Sequence, residues 1–200
     1  MTFNRSRSTT NYNYFINNLS LLRSNGPIKD LGILFDPKLK FDCHIHMIIN
    51  KSHQLLGFIN HSCSDFTDKF TLKSIYCSLI RPICEYGSIV WYPYQTGKKT
   101  RLEKVQHKFL RFISFKCSIP REPHTTYNPI LSLLNLHTLE YSRISLDLCF
   151  LYKLLNGNVD CPDFLNRLTF YTPTFNTRST NTFRSSLQVT NYANNTPCNR

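Results

Sequence analysis

Residues 98–116, KKTRLEKVQHKFLRFISFK, set Leu102, Val105, Phe109, Phe112 and Ile113 at three- and four-residue spacings, the period of one helix face. Between those positions stand Lys98, Lys99, Arg101, Lys104, Lys108, Arg111 and Lys116 against a single acid, Glu103. The spacing predicts an amphipathic helix over residues 98–116 whose apolar stripe must be covered by other helices. The flanking sequence repeats the pattern, so the fold class is mainly α.

Upstream, Phe41, Ile45, Ile48, Ser52, Leu55 and Ile59 form an earlier stripe of the same period. A second helix opens near Ser64, Asp65 and Thr67, all competent N-caps, and places Leu72, Ile75, Leu79, Ile83, Tyr86 and Val90 on one face. Pro82 should kink it, by removing one hydrogen bond and crowding the preceding turn, and Pro93 should end it. Leu79, Ile83, Val90, Trp91, Val105, Phe109 and Phe112 are expected to be buried between this helix and the next. Downstream, a polar, Pro-containing loop from Ser118 to Pro129 leads to a helix over Leu136–Asn156, stopped by Gly157. Pro162 stands where a short helix over Asp163–Leu168 would begin.

The first 37 residues read differently. Tyr12, Tyr14 and Ile16 alternate with Asn11, Asn13 and Asn17, the period of a half-buried strand. Asn25-Gly26-Pro27 is a turn, and Ile28–Phe35 a further strand closed by Asp36-Pro37. Such short strands need a cover to be stable. Beyond Phe170 the composition shifts to Thr, Asn, Ser and Arg: a tail either pinned by Phe175, Phe183, Leu187 and Tyr192 or disordered. Four parts result: a β part at 1–37, a helical bundle at 38–117, a C-terminal helical region at 118–170, and the Thr/Asn-rich tail at 171–200.

The net charge of +12 favours polyanionic partners, nucleic acid or anionic lipid. No window reaches the roughly 20 apolar residues of a membrane span. No secretory h-region precedes Asn13, so an intracellular chain, cytoplasmic or nuclear, is expected. The eight cysteines then read as reduced, buried small hydrophobes. Cys43, His44, His46, His53, His61 and Cys63 lack metal-ligand spacing, because neighbours on a helix diverge and no C-x-x-C pair exists. No Cys–His pair is arranged for hydrolysis, and no Gly-rich loop cradles phosphates. Trp91 and Tyr92 either stack on bases or close the core against Pro93.

Several segments, taken in order, are similar to the region after the palm in non-LTR (jockey-like, LINE-type) retrotransposon reverse transcriptases. Met1-Thr2-Phe3-Asn4-Arg5 resembles the strand after the active-site hairpin, and Lys29-Asp30-Leu31-Gly32-Ile33-Leu34-Phe35-Asp36 the family's KDLGV-x-x-D segment. Leu39–Ile45, Leu55–Ile59 and Asp65–Asp68 continue the match. Arg81-Pro82-Ile83-Cys84-Glu85-Tyr86-Gly87-Ser88-Ile89-Val90-Trp91-Tyr92-Pro93 resembles RP-x-x-EYas-x-vW-x-P, and Leu102–Arg111 resembles iE-x-VQ-x-kflR. Tyr152–Gly157 resembles yKilnG, and Thr196–Arg200 resembles SPinR.

The resemblance implies that residues 1–37 are a β remnant of the palm, 38–117 a thumb-like bundle, and 118–170 a region downstream of it. In the family, palm aspartates hold two Mg²⁺ ions for nucleotidyl transfer, which needs clustered carboxylates. The F/Y-A-D-D hairpin would precede Met1, and this sequence has no two adjacent acids; the nearest pair, Asp65 and Asp68, suits helix capping. The expectation is a clipped or degenerate copy that is not an enzyme as it stands, with no cofactor and no small-molecule substrate. The thumb would pack along a duplex or RNA–DNA hybrid through phosphate contacts from Lys98, Arg101, Lys104, Lys108 and Arg111. A merely solvated basic face, an inert retroelement product, or a basic amphipathic protein at anionic membranes are the alternatives.

Overall fold

The computed structural model describes residues 1–3, 12–120, 126–171 and 183. Two antiparallel hairpins come first. β1 (Phe15–Ile16) pairs with β2 (Leu19–Ser20), and β3 (Ile28–Asp30) pairs with β4 (Ile33–Phe35) in the register Ile28↔Phe35. Helices follow: α1 (Asp42–Ser62), α2 (Lys69–Leu79), α3 (Arg81–Glu85), α4 (Ser88–Trp91), α5 (Thr96–Lys116), α6 (Asn128–Leu133), α7 (Leu139–Leu155) and α8 (Pro162–Leu165). The fold is mainly α with a small β part at its N-terminal end.

Both hairpins correct the strand readings. Asn17 and Asn18 take φ of 48° and 61°, the left-handed geometry that reverses a chain in two residues, so Tyr12, Tyr14 and Ile16 lie exposed rather than half-buried. The stretch Ile28–Phe35 is likewise not one strand but a hairpin, turned at Leu31 and Gly32 with φ of 44° and 84°. Asp36 then fixes the entry to α1: its carboxylate accepts the backbone N–H groups of Lys38, Lys40 and Phe41, the last at 2.7 Å.

The long helices stand close to their expected bounds. α1 buries Ile45, Ile48, Ser52 and Ile59 as its period requires, and α5 buries Leu102, Val105, Phe109 and Ile113, with Phe112 only half covered. Gly157 follows the last turn of α7 at φ 69°, the left-handed C′ geometry, and Pro162 opens α8, which is shorter than expected. α6 begins inside the end of the polar loop reading, at Asn128 and Pro129, and continues through residues to which the sequence reading gave no element.

The second helix is rephased. It does not run through Pro82 with a kink but breaks at Ile80, and Pro82 lies in the first turn of α3. Asp68, not Ser64, Asp65 or Thr67, caps α2, accepting from the Thr71 N–H at 2.8 Å. The buried face is Leu72, Tyr76, Ile80 and Cys84, one residue on from the expected stripe. Leu79 is 44% exposed and Val90 51%, and Tyr86 is exposed too; Ile83 is half-buried. The cause is Tyr76, whose ring stacks on Phe109 with centroids 4.1 Å apart and turns its neighbours outward.

One core joins these elements. It runs from Ile33 on β4 through α1, α2 and α5 to Ile130, Leu131, Leu134 and Leu139, crossing from residues 38–117 into 118–170. Gln106 of α5 donates to the His137 carbonyl at 2.9 Å, and Glu103 accepts from the Leu139 N–H at 3.2 Å, pinning the start of α7. Arg143 of α7 is fully buried over the Tyr92 ring, 5.6 Å from its centroid. Cys63 and Cys84 are buried as expected, whereas Cys43 and Cys149 are exposed; no disulfide forms among the described residues. Phe175, Leu187 and Tyr192 lie outside the described residues, while Phe183 bridges to Phe170.

Candidate nucleic-acid interface

α5 sorts its side chains by arc. At 100° per residue, Arg101, Lys104, Lys108 and Arg111 fall within roughly 80°, on the far side from Phe109 and Ile113. All four are exposed. The stripe runs about 15 Å at 1.5 Å per residue, a length over which one nucleic-acid strand offers about four phosphates at 3.4 Å each.

α1 completes one flank. Arg101 Nη1 lies 3.0 Å from His46 Nε2, and Lys108 Nζ lies 3.5 Å from His53 Nε2. Both rungs join residues 55 apart, so α1 and α5 run side by side in the same direction. Burial first, and then the neighbouring Lys108 ammonium, hold His53 below the ordinary histidine range. The ammonium has only protons to give, so His53 Nε2 is the acceptor of this contact. On the other flank Arg111 donates to the Tyr127 hydroxyl at 3.5 Å, and Tyr127 stacks on His107 at 4.4 Å.

Lys98 stands apart from the other four. Its ammonium meets the Asp42 carboxylate at 2.5 Å and donates to the Lys40 carbonyl at 3.2 Å. Asp42 already balances its charge, so it contributes less to a free cationic face than Lys104, which forms no ion pair among the described residues. Helix periodicity revealed the stripe; the histidine rungs depend on the pairing of two helices, which no local pattern records. His46 and His53 sat in sequence only as members of a discounted metal set.

That set does not converge. His44 is buried edge-on to Trp91, with ring centroids 5.2 Å apart, while Cys43 and His46 face solvent. Among the described residues no three His, Cys, Asp or Glu side chains gather in metal-binding geometry. Trp91 is fully buried and donates to the Tyr86 carbonyl at 2.8 Å, which closes the core and removes it as a base platform. Tyr92 is half-buried beneath Lys99, 5.0 Å from its ring centroid.

The residues of the 81–93 stretch brace the bundle. Arg81 pairs with Glu85 at 2.7 Å and reaches Ser142 of α7, and the Tyr86 hydroxyl donates to the Leu31 carbonyl at 3.0 Å, tying the β3–β4 hairpin down. Among the described residues no helix is long and apolar enough to cross a membrane.

Over 140 residues, 68% of its length, the chain is 27% identical to the uncharacterized protein B0403.1 of Caenorhabditis elegans, and the match covers 67% of that protein. No known protein family matches the chain. No solved structure matches it.

Proposed function

We propose that this chain is a portion of a non-LTR retrotransposon reverse transcriptase, thumb and downstream region, that grips nucleic-acid duplex without reading its sequence and performs no polymerisation. The observation that carries the reading is the exposed line of Arg101, Lys104, Lys108 and Arg111 on a helix whose opposite face is locked into the core. Cations held at a fixed pitch by a packed helix meet phosphates at little entropic cost, and such contacts position a duplex without distinguishing bases. The ordered similarity of the 29–36, 81–93 and 102–111 segments to that family supports the assignment. Two-metal chemistry needs clustered carboxylates, and five of the described acids are engaged elsewhere: Asp36 holds the turn before α1, Asp68 caps α2, Glu85 and Glu140 pair with Arg81 and Lys99, and Glu103 anchors α7.

Fluorescence anisotropy across a salt series tests the grip. Changing Arg101, Lys104, Lys108 and Arg111 together to Gln should flatten the log–log salt dependence by roughly three to four units, at about 0.9 per phosphate. Lys108→Gln alone should remove about one, and an RNA–DNA hybrid should respond in the same direction. A well-folded wild type that binds no duplex at low salt would show the stripe to be only a solvated face. Template-dependent extension with Mg²⁺ or Mn²⁺, by protein free of other polymerases, would refute the second half.

A further inference from the structure

A cleft of about 430 Å³ opens between the β3–β4 hairpin, α1 and α3, well away from the basic stripe. Its walls are mostly apolar, with Met47 and Ile83 on facing helices and the Tyr86 ring beside Gly32. Lys29 and Lys51 line it from the hairpin and from α1, and neither side chain forms an ion pair among the described residues. His44, 2% exposed, also lines it.

His44 has one defined role and one open one. Its Nδ1 accepts the Leu34 N–H at 3.3 Å, so in the neutral ring the proton sits on Nε2. Nε2–H is buried and has no hydrogen-bond acceptor. A buried donor without a partner costs free energy, so His44 is held there by its packing against Trp91 and its bond to Leu34. Burial holds the ring neutral, with its pKa lowered to about 4, so near neutral pH it puts no charge on the wall of the cleft.

We propose that this cleft binds a small organic anion: a ring-sized apolar body between Met47, Ile83 and Tyr86, with an acidic group neutralised by Lys29 and Lys51. The volume lies within the roughly 300–1,000 Å³ range of small-molecule sites, and an apolar lining with a few converging polar groups is their usual make-up. The site is independent of the proposed duplex grip. On α1, His46 and His53 lie about half a turn from His44 and Lys51, so a duplex on the stripe meets the opposite flank of that helix.

Two probes with the same body test it: 8-anilinonaphthalene-1-sulfonate, and N-phenyl-1-naphthylamine, which lacks the sulfonate. Trp91, the single tryptophan, lies edge-to-ring against His44 and reports occupancy by quenching and energy transfer. The sulfonate should bind at one saturable site, at least about tenfold tighter than the neutral probe, as a group charge-paired with two ammoniums warrants. Lys29→Gln/Lys51→Gln should weaken the sulfonate by about tenfold and leave the neutral probe unchanged. If circular dichroism shows the double variant misfolded, each single variant should weaken the sulfonate by about threefold. The α5 variant with all four cations neutralised should keep sulfonate affinity, so either reading can fail alone. Equal affinity for the two probes, no effect of the lysine variants, or no saturable binding by folded protein would overturn the proposal.

Discussion

Alanine at position 80 and alanine at position 79 should behave as opposites, although both remove aliphatic carbons from adjacent positions. Ile80 is fully buried between α2 and α3, facing the core with Tyr76 and Cys84. Ile80→Ala deletes three carbons, about 2.4 kcal/mol of transfer at 0.8 each, and the cavity left behind brings the cost to about 3–4 kcal/mol. Leu79, 44% exposed, sheds roughly half of its transfer term and leaves no sealed cavity, so Leu79→Ala should cost about 1 kcal/mol or less. Urea unfolding followed through Trp91 emission reads both. With a slope of about 2–3 kcal/mol per M, Ile80→Ala should lower the midpoint by about 1–2 M and Leu79→Ala by less than about 0.5 M. A Leu79→Ala cost equal to or above that of Ile80→Ala would restore the face centred on Leu79 and refute the packing of α2 against α5.

Phe109→Ala, which strips the stack on Tyr76, should cost about 3–5 kcal/mol in the same assay, and a loss under about 1 kcal/mol would place Phe109 at the surface. Gly87→Ala should cost about 2–4 kcal/mol, because Gly87 sits at φ 62° and its new Cβ would lie 2.7 Å from Ile33 Cδ1. Adding Ile33→Val, which removes that carbon, should make the pair cost less than the sum of the two single changes. Stability should also fall on acidification: unfolded His44 takes up a proton near pH 6.5, whereas the folded ring resists until about 4. The stabilisation is therefore full above pH 6.5 and lost as pH drops toward 4, by up to about 3 kcal/mol, and an NMR titration of His44 should show its midpoint near 4.

Elements whose apolar period is uninterrupted were legible in the sequence: α1 and α5 each present a stripe that only a helix can bury, and Gly157 marked the end of α7. The break at Ile80 was not, because Ile75, Leu79 and Ile83 keep helical spacing as well as Leu72, Tyr76, Ile80 and Cys84 do. A tyrosine that buries its ring decides between them only once Phe109 is in place. The hairpins were hidden for a different reason. Leu31 adopts a positive φ that side-chain type does not advertise, although Asn17-Asn18 carried a turn signal that period-two alternation masked. The basic stripe was visible as charge on a helix, but Lys98 joined it by spacing alone, and only Asp42 across the α1–α5 seam sets it apart. The cleft between hairpin, α1 and α3 left no local trace, since its lining comes from three separated stretches of chain.

The parallel course of α1 and α5 bears on how the molecule assembles. Helices joined head to tail by a short turn meet in opposite directions, whereas the histidine rungs between these two each close a chain segment of 55 residues. Closing it costs about 3.5 kcal/mol of chain entropy, and the later rungs add little to that because the first has already brought the ends together. α2, α3 and α4 form the return path that lets α5 start beside the start of α1. The seam should therefore form late and all at once, after the intervening turns have folded. An isolated 96–116 peptide would carry the four cations without the histidine rungs or the rigid pitch that aligns them.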